Sequence, residues 1–157
     1  MARYAATTSV SPEKSQTEIK TILRRYGADR FGIMEDDAHG YVMFEFKGLM
    51  IQMKVAMPDK DSEEFRFTET GRERSADAML KDYEQSIKQR WRALLLAIKA
   101  KLEAVETGIS TIEQEFMAFV VMPDGHQLGE HIIPQLEQIV KTGRMPKLLQ
   151  LGMGGKE

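Results

Sequence analysis

An α+β domain is predicted, a mainly antiparallel sheet of about four strands with a long helix packed across it, and three observations predict it. The apolar period is helical over residues 15–26, alternates over 41–57, and is helical again over 75–106. Turn residues, "DAHG" and "KG", punctuate the alternating stretch. The chain has 157 residues, 42% hydrophobic and 29% charged, which is the composition of one globular domain that can bury a core without staples.

The opening "MARYAATTSVSPEKSQ" has no apolar centre of the kind a secretory signal carries, so residues 1–12 are expected to form a flexible arm. "SQTEIKTILRRYG" predicts a helix from about residue 13 to 26. Ser15 and Glu18 make a capping-box pattern, Gly27 supplies the stop, and Ile19, Ile22, Leu23 and Tyr26 share a face. An earlier start at Ser11, with Pro12 as the first helical residue, is the alternative. "RFGIMED" and the two arms of "YVMFEFKGLMIQMKVAMP" predict three antiparallel strands. Val42, Phe44 and Phe46 lie on one side of the first arm, Leu49, Ile51, Met53 and Val55 on one side of the second, and Lys47-Gly48 takes the turn.

"DKDSEEFRFTETGRER" is charged and aperiodic, so it is expected as an exposed loop. The most legible element follows. Leu80, Tyr83, Ile87, Trp91, Leu94, Leu95, Ile98, Leu102 and Val105 recur at helical intervals between a Ser75 cap and a Gly108 stop. At 1.5 Å per residue this helix is roughly 50 Å long. "TIEQEFMAFVVMP" predicts a fourth strand around 114–122, and "LGEHIIPQLEQIVKTG" a last helix with Pro134 in or near its first turn. The order is α-β-β-β-α-β-α, with a single domain over 13–150 and a flexible tail over 151–157.

With no cysteine, disulfides, thiolate nucleophiles and Cys-based metal sites are excluded. No apolar run reaches the roughly 18 residues that span a bilayer, so no membrane partner is expected and the cytoplasm is the expected compartment. The net charge of −2 lacks the chain-wide basic surplus of many nucleic-acid binders, so such binding would rest on a local patch. One patch is available. Lys81, Lys88, Arg92 and Lys99 project within about 40° of one another along roughly 27 Å of the long helix. Trp91 lies beside them, and the first helix adds Lys20, Arg24, Arg25 and Arg30. Cations at that spacing displace counterions from a phosphate backbone, and an aromatic among them suits stacking on single-stranded bases. The candidate nucleic-acid-binding set is therefore Lys81, Lys88, Trp91, Arg92, Lys99, Arg24 and Arg25. Its ordinary alternative is a solvated helix face, with Glu84, Glu103 and Glu106 diluting the charge.

Three further patterns carry weaker signals. Asp36 or Asp37 with Glu45 and Lys47 supplies the residue types of a metal-dependent nuclease. Lys47 falls in a turn, however, and a strand follows where that nuclease fold has a helix. "VAMPDKD" and "VVMPDGH" share Met-Pro-Asp, which reads as two strand ends. Only parallel neighbouring strands would bring Asp59, Asp124 and His126 to one cation. His126 and His131 are five apart rather than four, so neither they nor His39 predict a metal, and no cofactor is expected.

The block "RWRALLLAIKAKLEAVETGI", continuing through "EFMAFVVMPDG" to "GEHIIPQLEQIVKTGRMPKLL", together with the hairpin "YVMFEFKGLMIQMKV", resembles small uncharacterised proteins of phages and prophages. The resemblance covers most of residues 17–149. It implies no activity and no catalytic residues, only a setting of phage DNA metabolism and defeat of host defences. The order of elements is similar to that of single-strand annealing proteins, which set a β-β-β-α core against DNA. The leading expectation is a non-enzymatic nucleic-acid-binding accessory protein that prefers single-stranded DNA. The alternatives are a protein-interaction module, such as an inhibitor of a host defence enzyme using the acidic 59–73 loop and the Met-rich hairpin, and a metal-dependent nuclease. A homo-oligomer is expected throughout, since so long a helix would leave apolar turns to be covered by another subunit.

Overall fold

The structure, a computed structural model, describes residues 5–144. Local signals lay down its elements. α1 (Pro12–Arg25) begins at Ser11, whose hydroxyl accepts the Lys14 N–H at 3.2 Å, with Pro12 placed where its missing N–H costs nothing. The earlier start is thus the one used, and Ser15 is buried within the helix instead of capping it. β1 (Arg30–Glu35), β2 (His39–Phe46) and β3 (Leu49–Ala56) form an antiparallel meander in that order. Lys47 and Gly48 take φ of +49° and +80°, the two-residue turn whose twist matches the flanking strands. Phe31 faces Phe44, Ile33 faces Val42, and Val42 faces Met53 across the sheet, so the apolar side chains share one face and a one-residue slip would turn them to water.

α2 (Glu63–Arg66) is a single turn, and α3 (Ala76–Glu106) is the long helix, capped by the Ser75 hydroxyl on Ala78 N–H at 3.3 Å. Then come α4 (Ile112–Phe116), a 3₁₀ turn (Met117–Phe119) and α5 (Leu128–Thr142). The expected fourth strand over 114–122 is therefore corrected. Among the described residues the sheet has three strands, and only helical elements follow α3 in place of the expected β-α ending. Its cause is local. The Thr111 hydroxyl accepts the Gln114 N–H while the Gln114 side chain accepts the Thr111 N–H, which fixes a helix start and drives Phe116 edge-on into Phe44 at 5.4 Å. Val120 and Val121 are left with isolated bridges to Ile51 and Gln127. Pro134 is the seventh residue of α5, in its second turn and not its first, where it removes one helical hydrogen bond.

α1 and α3 cover the same face of the sheet. Ile19, Ile22 and Leu23 from α1, and Trp91, Leu94, Leu95, Ile98 and Leu102 from α3, join the β2 and β3 side chains in one core. The helices run parallel, as the bonds Arg92 to Glu18 (2.9 Å) and Tyr26 to Glu103 (2.8 Å) require.

α3 has 31 residues, about 46 Å, whereas the eight-residue strands beneath it reach about 26 Å. Two other segments cover the overhang. Phe65 of α2 is buried edge-on to Tyr83 at 5.8 Å, Arg74 pairs with Asp82, and a Phe67–Glu73 bridge ties the segment off. The stretch expected as an open loop is thus partly a folded flap. Gln85 donates to the carbonyls of Ala6 and Thr8 (3.3 and 2.8 Å), Gln89 donates to Ala6 (2.6 Å), and Ala5 is buried. Residues 5–8 of the expected loose arm are thus held over α3. The proposed tail at 151–157 lies outside the described residues.

Gly40 of β2 lies close against the core. A Cβ there would stand 2.6 Å from Trp91 Cζ2 and 2.6 Å from Met57 Cε, while at Gly32 of β1, on the opposite face of the sheet, a Cβ meets nothing within 4 Å. Gly40→Ala is expected to lower stability by about 1–3 kcal/mol through overpacking, and Gly32→Ala to leave it within about 0.5 kcal/mol of the parent. Urea unfolding of both variants checks this, and equal midpoints would refute the close-packed contact.

Candidate functional site

β1 and β3 run the same way on either side of β2, so their C-terminal ends finish on one edge of the sheet. Each is followed by acids, "EDD" after β1 and "DKD" after β3. Their convergence builds a cleft of about 770 Å³ between the β1–β2 turn, the exit of β3 and the Tyr83–Ile87 turn of α3. Asp36 organises the turn: its carboxylate accepts the N–H groups of Ala38 (2.8 Å) and His39 (2.7 Å). Those two bonds hold its carboxyl below the usual range. Met57 N–H donates to the Ala38 carbonyl at 2.7 Å and joins the two walls. Asp59 accepts the Asp61 N–H at 2.9 Å, which turns the chain outward after the buried Pro58.

Five carboxylates, Glu35, Asp36, Asp37, Asp59 and Asp61, line this cleft against one lysine, Lys60, while Ala56, Met57, Pro58 and Ile87 supply an apolar floor. Field lines of one sign are concentrated in such a concavity, which raises the local density of cations. The acids are spread round the rim. Among the described residues no three His, Asp or Glu side chains stand close enough together to hold a metal ion. An apolar floor below a divided acidic rim suits a cation carried on an aliphatic stem, as in lysine or arginine.

The basic stripe is not assembled as a free surface. Trp91 is 0% exposed and belongs to the core, so its assignment as a base-stacking residue is corrected: its place on the apolar stripe outweighs its nearness to the cations. Arg92 is paired with Glu18, and Lys88 lies on the same seam, facing Glu13. Lys81 and Lys99 are exposed, as are Arg24 and Arg25 at the end of α1, where Arg24 lies over the Phe31 ring at 5.3 Å and Arg25 over Tyr26 at 5.7 Å.

The nuclease set is dispersed. Asp37 and Glu45 lie at opposite ends of β2, separated by about 20 Å of strand. Glu45 is engaged by Arg30 at 2.8 Å, and Lys47 is in the hairpin turn. The two Met-Pro-Asp ends also stay apart. The Ile51–Val120 bridge is antiparallel, so Asp59 and Asp124 lie toward opposite ends of β3. No helix among the described residues is long and apolar enough to cross a membrane. Compared with protein-family models, with curated proteins and with solved structures, the chain matches none.

The remaining histidines staple the start of α5. His126 Nδ1 meets Glu130 at 3.0 Å, His131 Nε2 meets Asp124 at 2.8 Å, and the rings stand edge-on at 6.0 Å. The hydrogen bond to Glu130, then the charges of Glu130 and Asp124, raise His126 above the ordinary imidazole value. Glu130 is lowered by His126, and Asp124 by the His126 backbone N–H. The raised histidine stabilises fully below its unfolded pKa and loses that contribution as pH rises through the folded one. The depressed acids contribute above the ordinary carboxylate range and lose it as pH falls through their folded values. The staple is thus tightest in mildly acidic solution. An NMR titration should place the His126 midpoint above about 6.5, and Glu130→Gln should lower it toward that value, with the Asp124 charge still acting; an unshifted parent midpoint would contradict the pairing.

Proposed function

We propose that this chain is a non-enzymatic protein-interaction module that receives a basic segment of a protein partner in the cleft at the ends of β1 and β3. The observation that carries this reading is the pairing of five carboxylates with an apolar floor in one concavity of about 770 Å³. A lysine or arginine side chain can lay its methylenes on Met57 and Ile87 while its charged end meets Asp37, Asp59 or Asp61. The phage-protein resemblance gives the partner a class, a host defence enzyme that handles nucleic acid and therefore presents a basic surface. Occupying that surface would inhibit the enzyme without any chemistry by this chain.

A second reading, binding of single-stranded nucleic acid, is favoured by a different observation. Lys20, Arg24, Arg25 and Arg30 remain exposed around the end of α1, with Phe31 beneath Arg24. Of the candidate set, Arg24 and Arg25 belong to this patch, and Lys81 and Lys99 are also exposed.

One pair of titrations separates the readings. A labelled Lys/Arg-rich peptide should bind with an affinity that falls as salt rises, and Asp37→Asn with Asp59→Asn and Asp61→Asn should weaken it at least about tenfold while circular dichroism is unchanged. Unchanged affinity in that variant would refute the cleft as the site. A labelled single-stranded oligonucleotide should bind only if the second reading holds, and Arg24→Glu with Arg25→Glu should then abolish it.

A further inference from the structure

Among the described residues, three exposed large apolar side chains share one face of α5. Of its fifteen residues only Gly129 is buried, while Ile133, Leu136 and Val140 are 51%, 50% and 85% exposed at successive helical spacings. The helix is fixed at its first turn. Leu128 N–H donates to the Val120 carbonyl at 2.8 Å, Gln127 donates to the Gln52 carbonyl at 2.6 Å, and a Cβ on Gly129 would stand 2.8 Å from the Ala118 carbonyl oxygen. A helix of this length, interrupted by Pro134, has little stability of its own in water and depends on packing.

We propose that α5 of a second copy covers this face, laid antiparallel across a two-fold axis near Leu136. Shape supports that occupant. Val140, the most exposed large apolar side chain, is at one end of the face. A groove of about 450 Å³ lined by Ala118, Phe119, Gly129, Ile133 and Pro134 is at the other. Knob and groove are seven residues apart on one helix, about 10 Å, so antiparallel pairing seats each Val140 in the other copy's groove at both ends. Charge supports it too. Glu130, Glu137 and Lys141 project along one flank of the face. The antiparallel register sets Glu130 opposite Lys141 of the second copy at both ends, two opposite-charge pairs against one like-charge contact where the exposed Glu137 residues meet at the axis. The opposed helix dipoles add to this. Self-association thus moves from the long helix, where the sequence suggests it, because Trp91, Leu94, Leu95, Ile98 and Leu102 are all buried within the chain.

Light scattering on the eluting full chain, run from low to high micromolar concentration, tests the pairing. A dimer mass is expected, with Val140→Glu giving a monomer of unchanged circular dichroism. The chain has no cysteine, so engineered ones report geometry without background. Under mild oxidation Leu136→Cys should cross-link near the axis, and so should the double variant Ile133→Cys with Val140→Cys. Val140→Cys alone should not, because its mate is offset by about 10 Å along the helix, more than the roughly 7 Å between Cα atoms that a disulfide spans. A monomeric parent at every concentration, as would follow if residues 145–157 or a foreign protein covered the face, overturns the proposal. So does a dimer that survives Val140→Glu, or efficient cross-linking of Val140→Cys alone.

Discussion

The contact between Trp91 and Gly40 is the constraint on which the rest of the structure depends. The indole occupies the space that any side chain at position 40 would need, so α3 can come down onto the end of β2 at that point alone. Once Trp91 is seated, Ile87 and Tyr83 fall one and two turns earlier on the same helix and become the back wall of the acidic cleft. Lys88 and Arg92 flank the tryptophan on the side of α1, where Arg92 pairs with Glu18 and Lys88 lies within electrostatic reach of Glu13. One absent side chain thereby fixes the helix layer, shapes the cleft and takes up half of the basic stripe.

The small net charge conceals a separation. β1 begins at Arg30, close to the cations of α1, and ends at Glu35 on the lip of the cleft. Positive and negative groups therefore gather at opposite ends of one short sheet. A molecule built this way orients an approaching charged partner before contact, over distances set by the roughly 8–10 Å reach of unscreened charge in physiological salt. Whichever end is the functional one, the other is a consequence of packing the same strands in the same register.

Much of the fold was legible because periodicity is a global signal. α3, its Ser75 cap, the meander and the Lys47-Gly48 turn were each marked by several residues that agree. The fourth strand was misread because the β-branched pair Val120-Val121 masked a short-range signal, Thr111 followed three residues later by Gln114. The covering role of Phe65 could not be read at all, since a single aromatic in a charged run has no period. At the candidate site the Met-Pro-Asp repeats were read as two strand ends that converge only if their strands are parallel neighbours, and they are not. Asp59 instead shares a cleft with Asp36 and Asp37, because the first and third strands of a meander point the same way. Asp124 follows an antiparallel segment and is carried off. Counting strand directions, and not matching Met-Pro-Asp, was the signal that would have found the cleft.

The parallel seam of α1 and α3 has a further consequence, for the order in which the chain can fold. Its bonds join residues 74 and 77 positions apart, and the glutamines of α3 hold the segment before α1 across as many as 83. The meander needs only neighbouring turns, and α3 only its own sequence. Loop-closure entropy therefore sets the first helix apart as the piece that must wait, because its place exists only after α3 has landed on the sheet. This helix precedes the sheet in sequence yet is positioned after it, and until then its apolar face has nothing of its own to rest on.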